Sequence, residues 1–327
     1  MHTADTFLVA DIGGTNARFA IAVPDEGSKG FSLEHQQSFR AEDFDTLLGA
    51  VNAYGEYLPT PIPKQACFAV AAQPSNGVYH FTNSPWMLDS EEIKDALSLS
   101  TMMVVNDFQA MTSGARYMQD EDRILVRDGT AVPDAPQIVL GPGTGLGLGL
   151  LVPCGDKVRI IATEGGHAAF APQNEEEIEI LRLIMREHKL VLFEHLLSGR
   201  GLVNIHRALC VLAGKPRVSL RPSEITAAAY GDDYPIAKKA VNVFCAILGS
   251  FAGNAAVTTG ARGGVMLAGG ILPKISDVFL KSDFNARFGA KGPHEKYLAK
   301  VPVHLLTSEA TALIGAAHLL RDGQKDG

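Results

Sequence analysis

The sequence predicts a two-domain α/β protein, and three observations lead there. The chain is 327 residues long, more than a single hydrophobic core usually supports, so two domains are expected. Apolar strand-like runs alternate with amphipathic helical stretches from the first residues onward. One unit also recurs, an apolar strand closing on a glycine-rich polar turn, at 11–16, 141–147 and 269–270. That spacing is too wide for a solenoid repeat and points instead to two related halves.

In chain order, Phe7–Ala10 reads as a buried strand, DIGGTN as a turn and Ala17–Val23 as its partner strand. A helix is expected over 43–57 and a strand over 66–72. SNGVYHFTN suggests a turn and a strand, and Trp86 beyond it a packing residue. SEEIKDALS (90–98) starts like a helix, with Ser90 able to cap and acidic residues in the first turn. TMMVVNDF is a strand ending in polar residues, and 119–136 is a looser, charged region with two prolines. QIVLGPGTGLGLGLLV repeats the opening plan, and VRIIATEGGHAAFAP runs a strand into another Gly-Gly loop. From 174 the pattern turns helical. Asn174 with Glu177 three residues later has capping-box spacing. Helices are expected at 190–197, 201–213 and 235–258, then a strand at 265–267 and a final amphipathic helix in EATALIGAAHLLRDG.

Composition argues against several partner classes. Hydrophobic residues make up 46% and charged residues 20%, an ordinary globular balance. The formal net charge of -7 offers no basic surface to follow a nucleic-acid backbone. No basic segment leads into an apolar one at the N-terminus, so no signal peptide is expected. No strongly apolar run of about 18 residues is read, so no membrane span is expected either. Cys67, Cys154, Cys210 and Cys245 are widely spaced, with no CxxC. They read as buried free thiols of a reducing, cytoplasmic compartment rather than zinc ligands.

Glycine lets another group approach the backbone N–H closely, and clustered N–H groups attract phosphate. Gly13–Gly14 therefore fits two readings, a plain hairpin turn or a phosphate cradle. Two familiar phosphate motifs are absent. No G-x-x-x-x-G-K-[ST] string occurs. In GPGTGLG, Leu146 stands where a dinucleotide fingerprint needs glycine, and a strand follows instead of a helix. A hydride-transfer enzyme is thereby disfavoured. The remaining solution clamps a nucleotide between two domains, one glycine hairpin from each.

DIGGTNARF, VVNDFQA, LGPGTGLG, TEGGHAAFAP, LSGRGL and LAGGILP, in that order, resemble the bacterial glucokinase family of the ATP-dependent, non-ROK type. The resemblance runs from about residue 7 to 319. It implies a two-lobed actin-like ATPase (ribonuclease H-like) α/β fold with a cleft between a small domain, 1–117 plus 308–327, and a large domain, 118–307. It implies an ATP:hexose 6-phosphotransferase that converts glucose to glucose 6-phosphate. Ala10, Asp11, Ile12, Gly13, Gly14, Thr15 and Asn16 would then cradle the ATP phosphates with Gly143, Thr144 and Gly145. Gly269 and Gly270 would lie near the adenosine. A homodimer and cleft closure around substrate are further implications.

The residues themselves agree with parts of this. Asn106 and Asp107 end a buried strand, where ligands of α/β sheets bind, although an Asx turn or helix cap fits the same spacing. Phosphoryl transfer to a sugar hydroxyl needs one carboxylate to accept a proton. By resemblance Asp107 is that base, and Asn106 holds neighbouring hydroxyls. Glu164 can accept from two hydroxyls, and neutral His167 offers one donor and one acceptor. The Gly165–Gly166 spacer is read as giving a ligand access to both. Glu194 fits either a solvated helix face or, by resemblance, a contact near the anomeric end of the sugar. Asn83 is a further sugar candidate. Asp11 beside the phosphate turn would repel phosphate without a cation, so it is expected to hold Mg²⁺ through water.

Two positions depart from the family pattern. Ala10 stands where glycine is frequent, and Arg200 where proline is common, which leaves the rigidity of LSGRGL and the role of Arg200 open. The cysteine-rich zinc motif of ROK-type kinases is absent. Competing readings are a kinase for another hexose and a sugar-responsive regulator on the same fold. The early phosphate turn and the acidic charge disfavour the regulator.

Overall fold

A computed structural model describes residues 6–25, 30–72, 74–75, 77–81, 86–216, 218–231 and 233–323. The chain divides into two compact units, Met1–Gln119 with Ser308–Gly327, and Asp120–Thr307.

The first unit is built on a five-stranded sheet. Its elements are β1 (Phe7–Ile12), β2 (Asn16–Pro24), β3 (Phe31–Arg40), α1 (Leu47–Tyr57), β4 (Gln65–Val70), a small sheet of β5 (Pro74–Ser75), β6 (Val78–His80) and β7 (Met87–Asp89), then α2 (Ser90–Ala96), β8 (Thr101–Asn106) and α3 (Asp107–Ala115). The main sheet has the order β3-β2-β1-β4-β8. β1, β2 and β3 form an antiparallel meander, whereas β1, β4 and β8 run parallel. Alternation along β1 serves both faces. Leu8, Ala10 and Ile12 pack with Leu47, Val51 and Tyr54 of α1. Phe7 and Val9 pack with Ala110 of α3 and with Leu313, Ala316 and Leu320 of the C-terminal helix. Trp86 is 1% exposed, and its Nε1–H donates to Phe44 O at 2.9 Å, so it packs as expected.

β3 escaped the sequence reading because SLEHQQSF carries no apolar run. It is an edge strand, mostly exposed, kinked where His35 takes a positive φ of 51°. The cap of α2 also differs from expectation. Asp89, not Ser90, accepts from Glu91 N and Glu92 N, because a carboxylate at that position reaches two first-turn donors at once.

The second unit contains β9 (Arg123–Arg127), β10 (Gln137–Pro142), β11 (Leu146–Cys154), β12 (Lys157–Thr163), α4 (Glu175–Ile184), α5 (Gly199–Leu212), α6 (Pro222–Ala228), α7 (Pro235–Thr259), β13 (Gly264–Leu267), three short helices α8 (Ser276–Leu280), α9 (Phe284–Gly289) and α10 (Glu295–Leu298), and β14 (Val303–Leu306). The chain then returns to the first unit as α11 (Thr311–Gly323). The sheet order is β12-β11-β10-β13-β14-β9. Its first five strands repeat the plan of the other unit, an antiparallel meander followed by two parallel strands. The two related halves read from the glycine turns are therefore present as topology. β9 adds an antiparallel edge; its five residues are bounded by charges, which hid it within the looser region. The helix expected at 190–197 is a single 3-10 turn, Phe193–His195, anchored by a bridge between Ala169 and Leu192.

α7 is the core helix of this unit, with Phe244, Cys245, Ile247 and Leu248 fully buried. By length and composition it is apolar enough to cross a membrane, which corrects the sequence reading; 72% of its most apolar window is buried within the protein. One thiol is also corrected. Cys154 is exposed, because it ends β11 at the turn to β12, while Cys67, Cys210 and Cys245 are buried.

Glu177 is a buried charge of this unit, 2% exposed. Asn174 Oδ1 accepts from Glu177 N at 2.9 Å, as the capping box requires, but the Glu177 carboxylate accepts from Gln173 N at 2.8 Å. It also takes a two-pronged contact from Arg287 of α9, at 2.6 and 3.2 Å. Removing one partner of such a pair leaves an uncompensated buried charge. Arg287→Ala is expected to cost roughly 3 kcal/mol or more, read as a lower urea midpoint; Glu177 and Arg287 replaced together should cost less than the sum of the single changes.

Candidate active site

In the first unit, the carboxyl end of the sheet gathers the predicted residues. Cross-strand register aligns Asp11 with Ala69 and Val105, and Ile12 with Val70 and Asn106. The DIGGTN turn at the end of β1 and Asp107 after β8 therefore share one sheet edge. They are two strand spacings apart, about 10 Å. Gly13 N–H donates to Asn16 O at 2.9 Å, closing the hairpin. Gly14 and Thr15 keep N–H groups without a partner among the described residues, which fits an anion-binding turn. Ala10 and Ile12 are fully buried, so they support this turn from beneath.

Asp11 sits beside Arg18, its cross-strand partner, at 3.6 Å. Arg18 also reaches Glu309 at 3.1 Å. Burial pushes the Asp11 carboxyl above its usual pKa, and the Arg18 guanidinium acts against that shift. Neither Arg18 nor Glu309 was foreseen. The pairing of Arg18 was implicit in a hairpin centred on Gly13–Asn16, which places residues 11 and 18 opposite one another.

Asn106 is the N-cap of α3; its Oδ1 accepts from Phe108 N at 2.9 Å and Gln109 N at 3.1 Å. Its amide NH₂ is the part that can serve a ligand. Asp107 is the first residue of the helix, where the macrodipole favours a carboxylate, and its Oδ1 accepts from Phe108 N at 2.7 Å.

The second unit brings Glu164, His167 and Glu194 together. His167 Nδ1 lies 3.2 Å from Glu164 Oε2, and Nε2 lies 3.8 Å from Glu194 Oε1. One imidazole thus stands between two carboxylates, with the Glu164 and His167 side chains more than half exposed. Glu194 belongs to the Phe193–His195 turn rather than to a solvated helix face. That turn is stiffened by His195, whose Nδ1 accepts from Leu192 N at 3.2 Å and whose ring stacks on His188. The acceptor role needs the neutral ring. Burial and His188 hold His195 below its usual pKa, against an opposite pull from Glu194.

Gly165 and Gly166 also have a packing role that the sequence did not suggest. A side-chain carbon on Gly165 would collide with Leu148, and one on Gly166 with the Leu146 carbonyl. The two glycines let the TEGGH loop lie flat on β11. Thr163 helps, donating through Oγ1 to Leu148 O at 2.8 Å. Asn83 lies outside the described residues.

The GPGTG turn joins β10 to β11. Gly143 N–H donates to Gly145 O at 2.8 Å, while Thr144 and Gly145 keep N–H groups without a partner among the described residues. This repeats the pattern of the first turn. The AGG turn that follows β13 packs directly against it. A side-chain carbon on Gly269, whose φ is +88°, would sit 2.5 Å from Pro142 O. At Gly143 an added side-chain carbon meets nothing within 4 Å, so Gly143→Ala should change the unfolding free energy, read by urea melt, by no more than about 0.5 kcal/mol. If the turn grips phosphate, the same change should raise KM for ATP severalfold; an unchanged KM would remove Gly143 from the nucleotide site.

Comparisons with known proteins identify the family and the fold. The family model described as Glucokinase matches residues 8–323. A glucokinase of Hahella chejuensis is 39% identical over 322 residues, covering 98% of this chain and 99% of its own. The crystal structure of a glucokinase from an Antarctic psychrotroph superposes with a TM-score of 0.86 at 35% identity, covering 98% of this chain and all of the other. A ROK family glucokinase from Streptomyces griseus, solved in complex with glucose and AMPPNP, shares the fold at a TM-score of 0.65 and 18% identity, over 97% and 100% of the two chains. The fold class is thus the mixed α/β, actin-like fold of the sugar kinases. With one family model spanning nearly all of it and relatives this similar over their full length, the chain belongs to the glucokinase family.

Proposed function

We propose that the protein transfers the γ-phosphoryl group of ATP to the 6-hydroxyl of glucose, giving glucose 6-phosphate and ADP. The observation that carries this reading is Glu194. One of its carboxylate oxygens accepts from Leu146 N at 2.8 Å, at the end of the GPGTG turn, and the other faces His167. A group of polyol-binding type and a turn of phosphate-binding type therefore share a side chain. Membership of the glucokinase family supports the same reaction.

Each residue then has a role. Asp107 accepts the proton of the 6-hydroxyl as it attacks phosphorus, and the Asn106 amide donates to a neighbouring hydroxyl. Glu164, His167 and Glu194 hydrogen-bond the remaining hydroxyls, with Glu194 at the anomeric end. Gly14, Thr15, Thr144 and Gly145 offer N–H groups, and Thr15 and Thr144 their hydroxyls, to the phosphates, while Gly13 and Gly143 close the two turns. Gly269 and Gly270 lie beside the adenosine. A site that hydrogen-bonds each hydroxyl rejects analogues lacking one by roughly 10⁴-fold or more.

Asp11 suits Mg²⁺ held through water. Among the described residues no cluster of three metal-binding side chains exists, and Arg18 already faces the carboxylate. A lone carboxylate of this kind fits a cation carried mainly by phosphate and water. When bound, Mg²⁺ offsets the charge of the phosphate oxygens. We further propose a cytoplasmic homodimer on the family resemblance, and light scattering checks the assembly.

Coupled assays with ATP and glucose, mannose, fructose or N-acetylglucosamine test the substrate. Glucose should give the highest kcat/KM; a higher value for another sugar would favour the reading as a kinase for that hexose. Glu164→Gln should raise KM for glucose while KM for ATP changes less, and equal effects on both would remove Glu164 from the sugar pocket.

A further inference from the structure

The segment from Glu194 to Gly199 grips the GPGTG turn at both ends. Glu194 Oε2 accepts from Leu146 N at 2.8 Å, at the end that enters β11. Gly199 N–H donates to Gly143 O at 2.8 Å, at the end that leaves β10. The segment is itself held by Ser198. Its hydroxyl donates to Glu194 O at 2.9 Å and accepts from Gly201 N at 3.0 Å as the N-cap of α5. That cap stiffens LSGRGL without the proline common in the family.

Gly145 is glycine for a reason that involves the same carboxylate. A side-chain carbon there would lie 2.6 Å from Glu194 Oε2. The other oxygen, Oε1, faces His167 Nε2 at 3.8 Å, and His167 in turn meets Glu164. A carboxylate is planar and rigid, so its two oxygens turn together. Whatever fixes Oε1 also fixes the acceptor on which the Leu146 N–H depends.

We propose that Glu194 is a positioning residue for the nucleotide as well as a sugar ligand, so that sugar occupancy and the geometry of the phosphate turn are coupled through this one side chain. A hydroxyl donated to Oε1 pins the carboxylate plane and holds Leu146 N–H in place. The Thr144 and Gly145 N–H groups, which have no partner among the described residues and stand immediately before Leu146, are then held in their binding arrangement. By linkage, the nucleotide strengthens sugar binding by the same factor. The sugar half of this proposal rests on the reading of Glu194 given above; the turn half rests on the Leu146 and Gly145 contacts alone.

The test combines titration calorimetry of magnesium AMPPNP, with and without glucose, and amide hydrogen exchange at Leu146. In the wild type, glucose should tighten AMPPNP binding by about fivefold or more. Glu194→Ala should expose the Leu146 amide to exchange, weaken AMPPNP binding in the absence of glucose, and leave a coupling factor within twofold of one. Glu194→Gln keeps an acceptor oxygen, so Leu146 should stay protected while glucose affinity falls. Gly145→Ala pushes the carboxylate aside and should weaken glucose binding, although Gly145 itself belongs to the phosphate turn. Coupling that persists in Glu194→Ala, unchanged Leu146 protection in that variant, or wild-type glucose affinity in Gly145→Ala would each overturn the proposal. Failure of the kinase reading looks different: wild-type protein would bind neither ligand, removing the coupling, while Glu194→Ala still released the Leu146 amide. If Glu194→Ala does not fold, Glu194→Gln and Gly145→Ala carry the test.

Discussion

Asp107→Ala is expected to lower kcat by at least roughly 10²-fold, the usual loss when a positioned general base is removed. The fold should survive this change. Asp107 is the first residue of α3, and loss of an acidic side chain there costs about 0.3–1 kcal/mol. The cap itself belongs to Asn106, which retains its two bonds to Phe108 N and Gln109 N. Glucose and ATP should still bind, since neither is held mainly by this group. A steady-state assay with a parallel urea melt separates the outcomes. Near-normal turnover in a folded variant would dismiss Asp107 as the base, whereas lost turnover with lost folding would assign it a structural role.

Gly315→Val is expected to cost about 3 kcal/mol or more, because overpacking a tight contact forces the backbone apart. Gly315 of α11 meets α3 so closely that a side-chain carbon would collide with Ala110 O. Gly114 of α3 is the reciprocal case, facing Thr311 O. The two helices cross with their backbones in contact, and no rotamer of an added side chain avoids the clash. The expected result is a lower urea midpoint together with a fall in kcat beyond what unfolding explains, because α3 carries Asp107 at its first position. A variant with full stability and activity would show that the helices can part without disturbing the sheet edge they cover.

The sequence was most legible where local chemistry and burial coincide. β1, β2, β10 and β11 are apolar strands bounded by glycine turns, and α7 is a long apolar helix. Each keeps its identity because its neighbours want what its own residues want. Glu164 and His167 were readable as a polar pair in TEGGH, and a 3-10 turn over Gly165–His167 brings them together. The elements that escaped, β3 and β9, are edge strands. Their pairing energy comes from a neighbouring strand rather than from an apolar run of their own.

What the sequence by itself determined is the ordered set of glycine turns, the carboxylates beside them, the α/β class and the family. These depend on residue type and spacing along the chain, and both are written in the linear order. Only the tertiary structure decided how those residues are used. Gly165 and Gly166 gained a packing role because Leu146 and Leu148 lie beneath them. Asp11 gained Arg18, and Arg18 gained Glu309 from almost the far end of the chain. Glu194 reached Leu146, 48 residues away, with one oxygen while presenting the other to His167. Contacts between residues distant in sequence are set by how sheets and helices stack, and local spacing carries no record of that.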